Sequence, residues 1–246
     1  MEIIKVEDVS YSFGALKIME DVSFSSQLNQ FVSLIGPSGC GKSTLLRIMA
    51  GLIKPDTGKV FYRGKRVVEP IKEISFVFQD FGLLPWLTNI ENVKVGLSGA
   101  RMSDEKKTAV AKRLLAQFKL EGFEDSYPNM LSGGMKQRIG VARAIASQPR
   151  VLLMDEPFSS VDELTAETLR VDIMRMLKSR DISVNTVVMV THNVEEAVEL
   201  SDKIVIFSNK PSHIKEIKTI KWKYPRSKRD KEFMDLVDQV YEVLTR

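Results

Sequence analysis

The sequence predicts an α/β protein with a mainly parallel sheet, an N-terminal antiparallel β region and an inserted helical subdomain. Three observations lead to this class. Short, continuous apolar runs such as Phe31–Ile35 and Val151–Met154 are typical of buried strands in a parallel sheet. A glycine-rich loop at 36–44 lies between the first of these runs and a helical pattern. Residues 87–135 have helical spacing and no convincing strand, as expected of an insertion.

The composition is that of an ordinary globular protein. Of the 246 residues, 43% are hydrophobic and 28% are charged, so neither a disordered nor a fibrous class is indicated. No apolar run approaches the roughly 20 residues of a membrane span, and the N-terminal residues have no signal-peptide pattern. The single cysteine, Cys40, cannot form an internal disulfide, which favours a reducing compartment. We therefore expect a protein of the cytosol or of the cytosolic face of a membrane.

The N-terminal region is predicted to contain two strands, at 3–11 and 22–28. In the second, apolar and polar residues alternate, which favours a sheet with one exposed face. The run Tyr11-Ser12-Phe13-Gly14 lies between the two strands. Either ring could stack on a base, and either could equally pack in the core.

The glycine-rich loop Gly36–Thr44 fits the P-loop pattern G-x-x-x-x-G-K-[ST], with Gly36, Gly41, Lys42 and Ser43 at the fixed positions. Glycines let consecutive backbone N–H groups turn toward a phosphate, and the following helix directs its positive end at the same anion. Lys42 can reach the β- and γ-phosphates, and Ser43 can bind Mg²⁺. The sequence therefore predicts a P-loop NTPase core.

Further strands and helices follow the P-loop. Lys59–Tyr62 and Ile74–Phe78 are predicted strands, and the second ends at Gln79. The amide of Gln79 could reach a metal or a water, or it could be an ordinary polar strand end. Ser103 is a good helix N-cap within the helical insertion.

A second glycine-rich helix start lies at Leu131–Arg138. Ser132 is a natural N-cap, and Gly133 and Gly134 weaken the first turn unless something approaches the backbone closely. A helix N-terminus with bare backbone and a serine hydroxyl predicts a second anion site.

Two later apolar strands, Val151–Met154 and Thr186–Val190, end in polar side chains. The carboxyl ends of parallel strands are where α/β sheets bind ligands. Asp155 fits the acid on the Mg²⁺ side of a P-loop protein, and Glu156 could orient or deprotonate a water. His192 could donate to a γ-phosphate, although a lone histidine can also be structural.

The C-terminal part is basic. Residues 203–231 carry ten Lys or Arg and two acids, so this stretch has a charge of +8 and the rest of the chain −4. Such a stretch can bind nucleic acid or an anionic membrane, or it can form a solvated face. No run of consecutive basic residues favours a nucleic-acid arm. Ile204–Phe207 is a predicted strand and Lys231–Leu244 a predicted terminal helix.

Taken together and in this order, the motifs resemble those of the nucleotide-binding subunit of an ABC transporter. The set consists of Gly36–Thr44, Gln79, Leu131–Gln137, Val151–Glu156, Ser159–Asp162 and His192. Leu-Ser-Gly-Gly between a P-loop and an acid-terminated apolar strand is a highly specific signature. The resemblance implies one domain, 1–246, with a P-loop core at 1–86 and 136–208, a helical insertion at 87–135 and a basic extension at 209–246.

The resemblance also implies roles for single residues toward ATP and Mg²⁺. Phe13, or alternatively Tyr11, would stack on adenine. The residues of the P-loop that would hold the phosphates are Gly36, Pro37, Ser38, Gly39, Cys40, Gly41, Lys42, Ser43 and Thr44. The ligands of Mg²⁺ would be Ser43, Gln79 and, through water, Asp155. The residues that would act in hydrolysis are Lys42, Gln79, the base Glu156 and the γ-phosphate contact His192. Ser132, Gly133 and Gly134 would clamp the γ-phosphate bound by the other subunit of a head-to-tail homodimer.

The stretch Phe78–Trp86 resembles importers of the nitrate, sulfonate and taurine type, and pyrimidine-precursor importers share its marks. This likeness implies integral membrane permease subunits as partners, a solute-binding protein as an indirect one, and a small organic or inorganic anion as solute. It places the chain on the cytoplasmic face of the membrane and leaves no role for nucleic acid. The alternative is a soluble ABC-type ATPase that acts on nucleic acid or ribosomes; the short insertion and the single P-loop disfavour it.

Overall fold

The computed structural model describes residues 1–177 and 182–246. Its strands are β1 (Glu2–Phe13), β2 (Leu16–Gln27), β3 (Phe31–Ile35), β4 (Thr57–Tyr62), β5 (Lys65–Arg66), β6 (Ile74–Val77), β7 (Val151–Asp155), β8 (Thr186–Val190), β9 (Lys203–Phe207) and β10 (Ile214–Thr219). Its helices are α1 (Lys42–Met49), α2 (Asn89–Val95), α3 (Asp104–Gln117), α4 (Gly133–Ala146), α5 (Glu163–Leu177), α6 (Val194–Leu200) and α7 (Lys231–Thr245). None of the described helices is both long and apolar enough to cross a bilayer.

The chain divides into two compact units. The first consists of Met1–Ile71 and Asn185–Arg246, and the second of Lys72–Val184. These limits differ from the boundaries expected at 86 and 136, and the assignment of the chain to one domain with those boundaries stays a prediction. Each unit is described by itself below.

The first unit contains the antiparallel region that the sequence predicted. Strand β1 pairs antiparallel with β2 and with β4. Strand β2 begins at Leu16, six residues before the predicted start, because the β1–β2 pairing continues through several register shifts. Such bulges interrupt the alternation of apolar and polar residues by which a strand is recognised in a sequence.

The P-loop strand β3 lies between β8 and β9 and pairs in parallel with both. All residues of β3 and β8 are buried, as their continuous apolar sequences predicted. Strand β10, which the sequence prediction lacked, pairs antiparallel with β9. Its sequence Ile-Lys-Glu-Ile-Lys-Thr carries three charges, a composition typical of strands at the edge of a sheet.

The second unit contains the parallel pair β6–β7 and the helices α2 to α5. The stretch 87–135 holds α2, α3, a 3₁₀ turn at Pro128–Met130 and the start of α4, and no strand, as predicted for the insertion. The predicted caps are also present. The hydroxyl oxygen of Ser103 accepts a hydrogen bond from the N–H of Lys106, and that of Ser132 from the N–H of Met135.

Basic residues of the C-terminal stretch form hydrogen bonds to backbone carbonyls of the same chain. The buried guanidinium of Arg226 caps the C-terminus of α6. The backbone carbonyls that accept its hydrogen bonds are those of Val198, Glu199, Ser201 and Trp222. The ammonium of Lys215 likewise donates to the carbonyls of Val243 and Leu244 at the end of α7. These cations stabilise helix ends, where the last carbonyls otherwise have no partner.

Candidate nucleotide-binding site

The P-loop joins the end of β3 to the start of α1 in the first unit. Gly41 is the N-cap of α1 and has a φ of 103°, a conformation that side chains disfavour. A methyl group at this position would also lie 2.6 Å from Cγ2 of Ile18. Glycine is therefore required here both by the backbone angle and by the packing. The helix start leaves backbone N–H groups of the first turn without helical partners, and such groups bind anions.

Lys42 lies over the P-loop rather than in solvent. Its side chain is buried, and its Nζ donates to the carbonyls of Gly36 at 2.7 Å and of Pro37 at 2.8 Å. The Sγ of Cys40 lies 3.7 Å from the same nitrogen, and the Cys40 side chain is buried as well. The loop thus holds its own ammonium group at its centre. Ser38 and Gly39 are exposed at the tip, Ser43 is half-buried and Thr44 is buried.

Phe13 and Tyr11 form an aromatic pair at the end of β1. The two rings meet edge to face with centroids 5.0 Å apart. Phe13 is 53% exposed, so the alternative that its ring packs in the core is wrong. Tyr11 is half-buried. An exposed ring supported by a second ring can receive a planar ligand on its free face.

His192 is exposed between the end of β8 and the start of α6. The turn on either side of it is fixed by two hydrogen bonds. The N–H of Asn193 donates to Oγ1 of Thr191 at 3.0 Å, and the side chain of Asn193 accepts from the N–H of Glu196 at 3.1 Å, which caps α6. The histidine is therefore held in a defined place although its ring is open to solvent.

The second unit brings Gln79 and Glu156 together. Nε2 of Gln79 donates to Oε2 of Glu156 at 3.2 Å. Glu156 follows the buried Asp155 at the end of β7 and has a φ of 45°, which is uncommon for a residue with a side chain. Backbone strain of this kind concentrates at functional sites, where the surrounding structure maintains it.

The signature residues lie against the segment that follows Glu156. A methyl group on Gly133 would lie 3.3 Å from the carbonyl oxygen of Ser160, and one on Gly134 would lie 2.6 Å from Cγ2 of Thr165. Ser132 itself is exposed. Residues of the same chain therefore make a close approach to the backbone of these two glycines, as Ser160 and Thr165 show.

Asp162 ends this segment and caps α5. Its Oδ1 accepts a hydrogen bond from the N–H of Thr165 at 3.0 Å. The side-chain hydroxyl and the backbone N–H of Thr165 together hold the pKa of the Asp162 carboxyl below its usual value. The carboxylate of Asp162 therefore satisfies one of the N–H groups that have no helical partner in the first turn of α5.

Two residues that hold the stretch after Gln79 were not predicted. Arg143 of α4 donates to the carbonyls of Gly82 at 2.6 Å and of Phe81 at 2.9 Å, and burial lowers the pKa of its guanidinium. The side chain of Asn92 in α2 makes both hydrogen bonds to the backbone of Leu84. An asparagine within the predicted helical insertion is a weak signal for such a role, because Asn is unfavourable in helix interiors. Arginine is common in helices, so the sequence gives no comparable indication that Arg143 holds the backbone of another segment.

The family described as ABC transporter matches residues 19–159, more than half of the chain. The chain belongs to the ABC transporter family. The aliphatic sulfonates import ATP-binding protein SsuB of Bacillus cereus is 38% identical over 243 residues, which are 97% of this chain and 94% of that protein. The bicarbonate transport ATP-binding protein CmpD of Synechocystis is 38% identical over 92% of this chain and 81% of that protein.

The solved structures agree with this family. An ATP-binding cassette solved as a dimer in a post-hydrolysis state, with ADP and Pi, matches with a TM-score of 0.78 at 31% identity. The match covers 90% of this chain and 100% of that one. The chain is accordingly an ATP-binding protein that hydrolyses ATP. The alternative function, that of a soluble ATPase acting on nucleic acid or ribosomes, is not favoured.

Proposed function

We propose that the chain is the ATP-binding subunit of an importer for small anions. It works as a head-to-tail homodimer on the cytoplasmic face of the membrane, with integral membrane permease subunits and, indirectly, a solute-binding protein. The names of three relatives support the assignment of the solute as a small anion. They are importer or transporter subunits named for sulfonates, bicarbonate and sulfate or thiosulfate, and the matches cover 97%, 92% and 84% of this chain.

In the proposed site, the P-loop Gly36–Thr44 holds the phosphates of ATP and Phe13 stacks on adenine. The loop supports this role because α1 begins at its end and Lys42 already lies across it. The three donors of an ammonium group allow Lys42 to keep a loop carbonyl and to bind a phosphate oxygen. The exposed face of Phe13 supports the stacking role.

The side chains proposed for Mg²⁺ are Ser43, Gln79 and Asp155. They offer oxygen atoms, which Mg²⁺ prefers, and the donation from Nε2 of Gln79 to Glu156 leaves Oε1 of Gln79 as a ligand atom. Among the described residues, no group of three or more His, Cys, Asp or Glu could hold a metal ion. Mg²⁺ typically binds one or two carboxylates together with substrate phosphates. Mg²⁺ would neutralise charge that develops on the phosphate oxygens.

The proposed chemistry depends on Glu156 and His192. The carboxylate of Glu156 accepts a proton from the attacking water, and the hydrogen bond from Gln79 positions that carboxylate. His192 donates to a γ-phosphate oxygen. Ser132, Gly133 and Gly134 of the opposite subunit supply a hydroxyl and a helix N-terminus as the second clamp.

Mixed dimers test whether the site is built from two chains. A Lys42→Ala subunit is combined with a Ser132→Arg subunit, both also carrying Glu156→Gln so that bound ATP persists. If each site takes its P-loop from one chain and its clamp from the other, one site collects both defects and one is intact. The mixed dimer then occludes ATP while neither pure variant does. A mixed dimer that traps no ATP would contradict the head-to-tail arrangement.

The proposed docking surface for the permease is the stretch Phe81–Trp86. Trp86 is 70% exposed, and a groove of about 350 Å³ lies in the same unit. The groove is lined by residues that include Phe76, Phe78, Gly82, Val95, Arg143 and Ser147. An exposed aromatic side chain suits the centre of a protein interface, and Gly82 of the same stretch lines the groove.

Replacement of Trp86 by alanine tests this surface. We expect Trp86→Ala to retain ATP binding and to lose association with permease-containing membranes. Tyr241→Ala is the matched control, because Tyr241 is an exposed aromatic on α7. An unfolded Trp86→Ala protein, or equal membrane association of the two variants, would remove the docking role.

The solute class is tested on the reconstituted complex with the permease and the binding protein. We expect alkanesulfonates, taurine, nitrate or bicarbonate to stimulate ATP hydrolysis when loaded on the binding protein. A neutral sugar is the control. Stimulation by the sugar and by none of the anions would contradict the anion assignment.

A further inference from the structure

The segment that connects β9 to β10 lies along the P-loop. The hydroxyl of Ser212 donates to the carbonyl of Cys40 at 2.6 Å, and the N–H of Ser212 donates to the carbonyl of Ile18 at 2.9 Å. A methyl group on Gly36 would lie 2.9 Å from Cβ of Phe207. Ser212 is 1% exposed, so separating this segment from the loop would leave buried polar groups unpaired, which is costly.

Lys210 lies in the middle of that segment, beside the tip of the P-loop. A methyl group on Gly39 would lie 3.5 Å from Nζ of Lys210 and 3.8 Å from its Cε. The Lys210 side chain is exposed, and within 1–177 and 182–246 it has no ion pair and no hydrogen bond. Its charge is therefore not neutralised by a neighbouring acid, in contrast to Lys218 and Lys228 of the same basic stretch.

We propose that Lys210 is a second cation of the nucleotide site, which attracts the phosphates of ATP from beside Gly39 and favours ATP over ADP. A charge at this position lies within one Debye length, about 10 Å at 0.1 M salt, of a phosphate held by the loop. ATP carries one more negative charge than ADP, so the attraction is larger for ATP. The inference rests on the proposed role of Gly36–Thr44 as the phosphate site.

The test measures dissociation constants of the purified full chain for ATP and ADP at low and at high salt. We expect Lys210→Met to weaken ATP binding by about threefold at 50 mM salt, to weaken ADP binding less, and to have almost no effect at 500 mM salt, where the Debye length is about 4 Å. Lys210→Arg keeps the charge and should bind as the wild type does.

Lys221→Met is the matched control. It removes the same charge from the same basic stretch, but Lys221 follows Thr219, which pairs with Lys203 at the end of the hairpin opposite to Phe207. The Thr219 end of β10 lies roughly 17 Å along the strand from its Ile214 end, which pairs with Phe207. We expect Lys221→Met to leave both dissociation constants unchanged.

Two results would overturn the inference: equal affinities of Lys210→Met and Lys221→Met at low salt, or a loss of affinity in Lys210→Met that salt does not reduce. Lys42→Ala separates this failure from failure of the site. If Lys42→Ala loses ATP binding while Lys210→Met does not, only the role of Lys210 is wrong. If Lys42→Ala binds ATP normally, the P-loop assignment and the inference are both wrong.

Discussion

A methyl group on Gly134 would lie 2.6 Å from Cγ2 of Thr165, closer than two carbon atoms can pack. The signature glycine is thus required by a contact of α4 with the start of α5 in the same chain. Gly134→Ala should reduce ATP turnover by at least tenfold, because the signature turn has to move to relieve the clash. Thr165→Ser deletes the clashing methyl group and keeps the hydroxyl that bonds to Asp162.

We therefore expect the double variant Gly134→Ala, Thr165→Ser to recover most of the turnover, and Thr165→Ser alone to be close to the wild type. Steady-state ATPase assays measure all three proteins. If the double variant does not recover turnover, glycine at position 134 is required for approach of the nucleotide and not for packing against Thr165.

Glu156→Gln should lower ATP turnover by about 10²- to 10⁴-fold, the usual contribution of a general base, while ATP still binds. The amide cannot accept the proton of the attacking water. The variant should also accumulate as an ATP-bound dimer, which size-exclusion chromatography detects. Lys42→Ala is the contrasting variant, since it should lose ATP binding itself. Wild-type turnover in purified Glu156→Gln would exclude Glu156 as the base.

Arg226→Met should lower the free energy of unfolding by about 2–4 kcal/mol, because four buried or half-buried carbonyls lose their donor at about 1 kcal/mol each. Methionine keeps most of the apolar volume, so the loss reports the hydrogen bonds. Urea unfolding measures the difference. Arg229→Met, at an exposed arginine nearby, is the control and should change stability by less than about 0.5 kcal/mol. Equal stability of both variants would show that the cap on α6 is dispensable.

Asp162 should make part of the free energy of unfolding depend on pH. Its pKa is lower in the folded chain than in the unfolded one, so the carboxylate stabilises the fold above the unfolded pKa of about 3.9, and the contribution is lost as the pH falls through the folded pKa. The gap in unfolding free energy between wild type and Asp162→Asn should therefore be larger at pH 7 than at pH 3. Asp230→Asn is the control, since Asp230 precedes α7 without a side-chain capping bond. An equal gap at both pH values would contradict the assignment.

Local patterns made much of this structure predictable. The P-loop, the buried strands and the caps at Ser103 and Ser132 each depend on a few consecutive residues. Contacts between distant parts of the chain were not predictable in this way. Arg143 is 61 residues from Gly82 in the sequence, and the residues around neither of them predict their hydrogen bond. The exposure of Phe13 was not predictable either, because the residue pattern at the end of a strand fits both a buried ring and an exposed one.

The hydrogen bonds from Arg143 to the carbonyls of Phe81 and Gly82 have a mechanical consequence. Arg143 is on the helix that Ser132 caps, eleven residues and about 16 Å farther along it. A helix of this length is stiff, so a push on the stretch 81–86 that leaves the two bonds intact displaces Ser132 as well. Movement of the permease at its proposed docking surface, Phe81–Trp86, would therefore be transmitted through Arg143 and α4 to the signature serine.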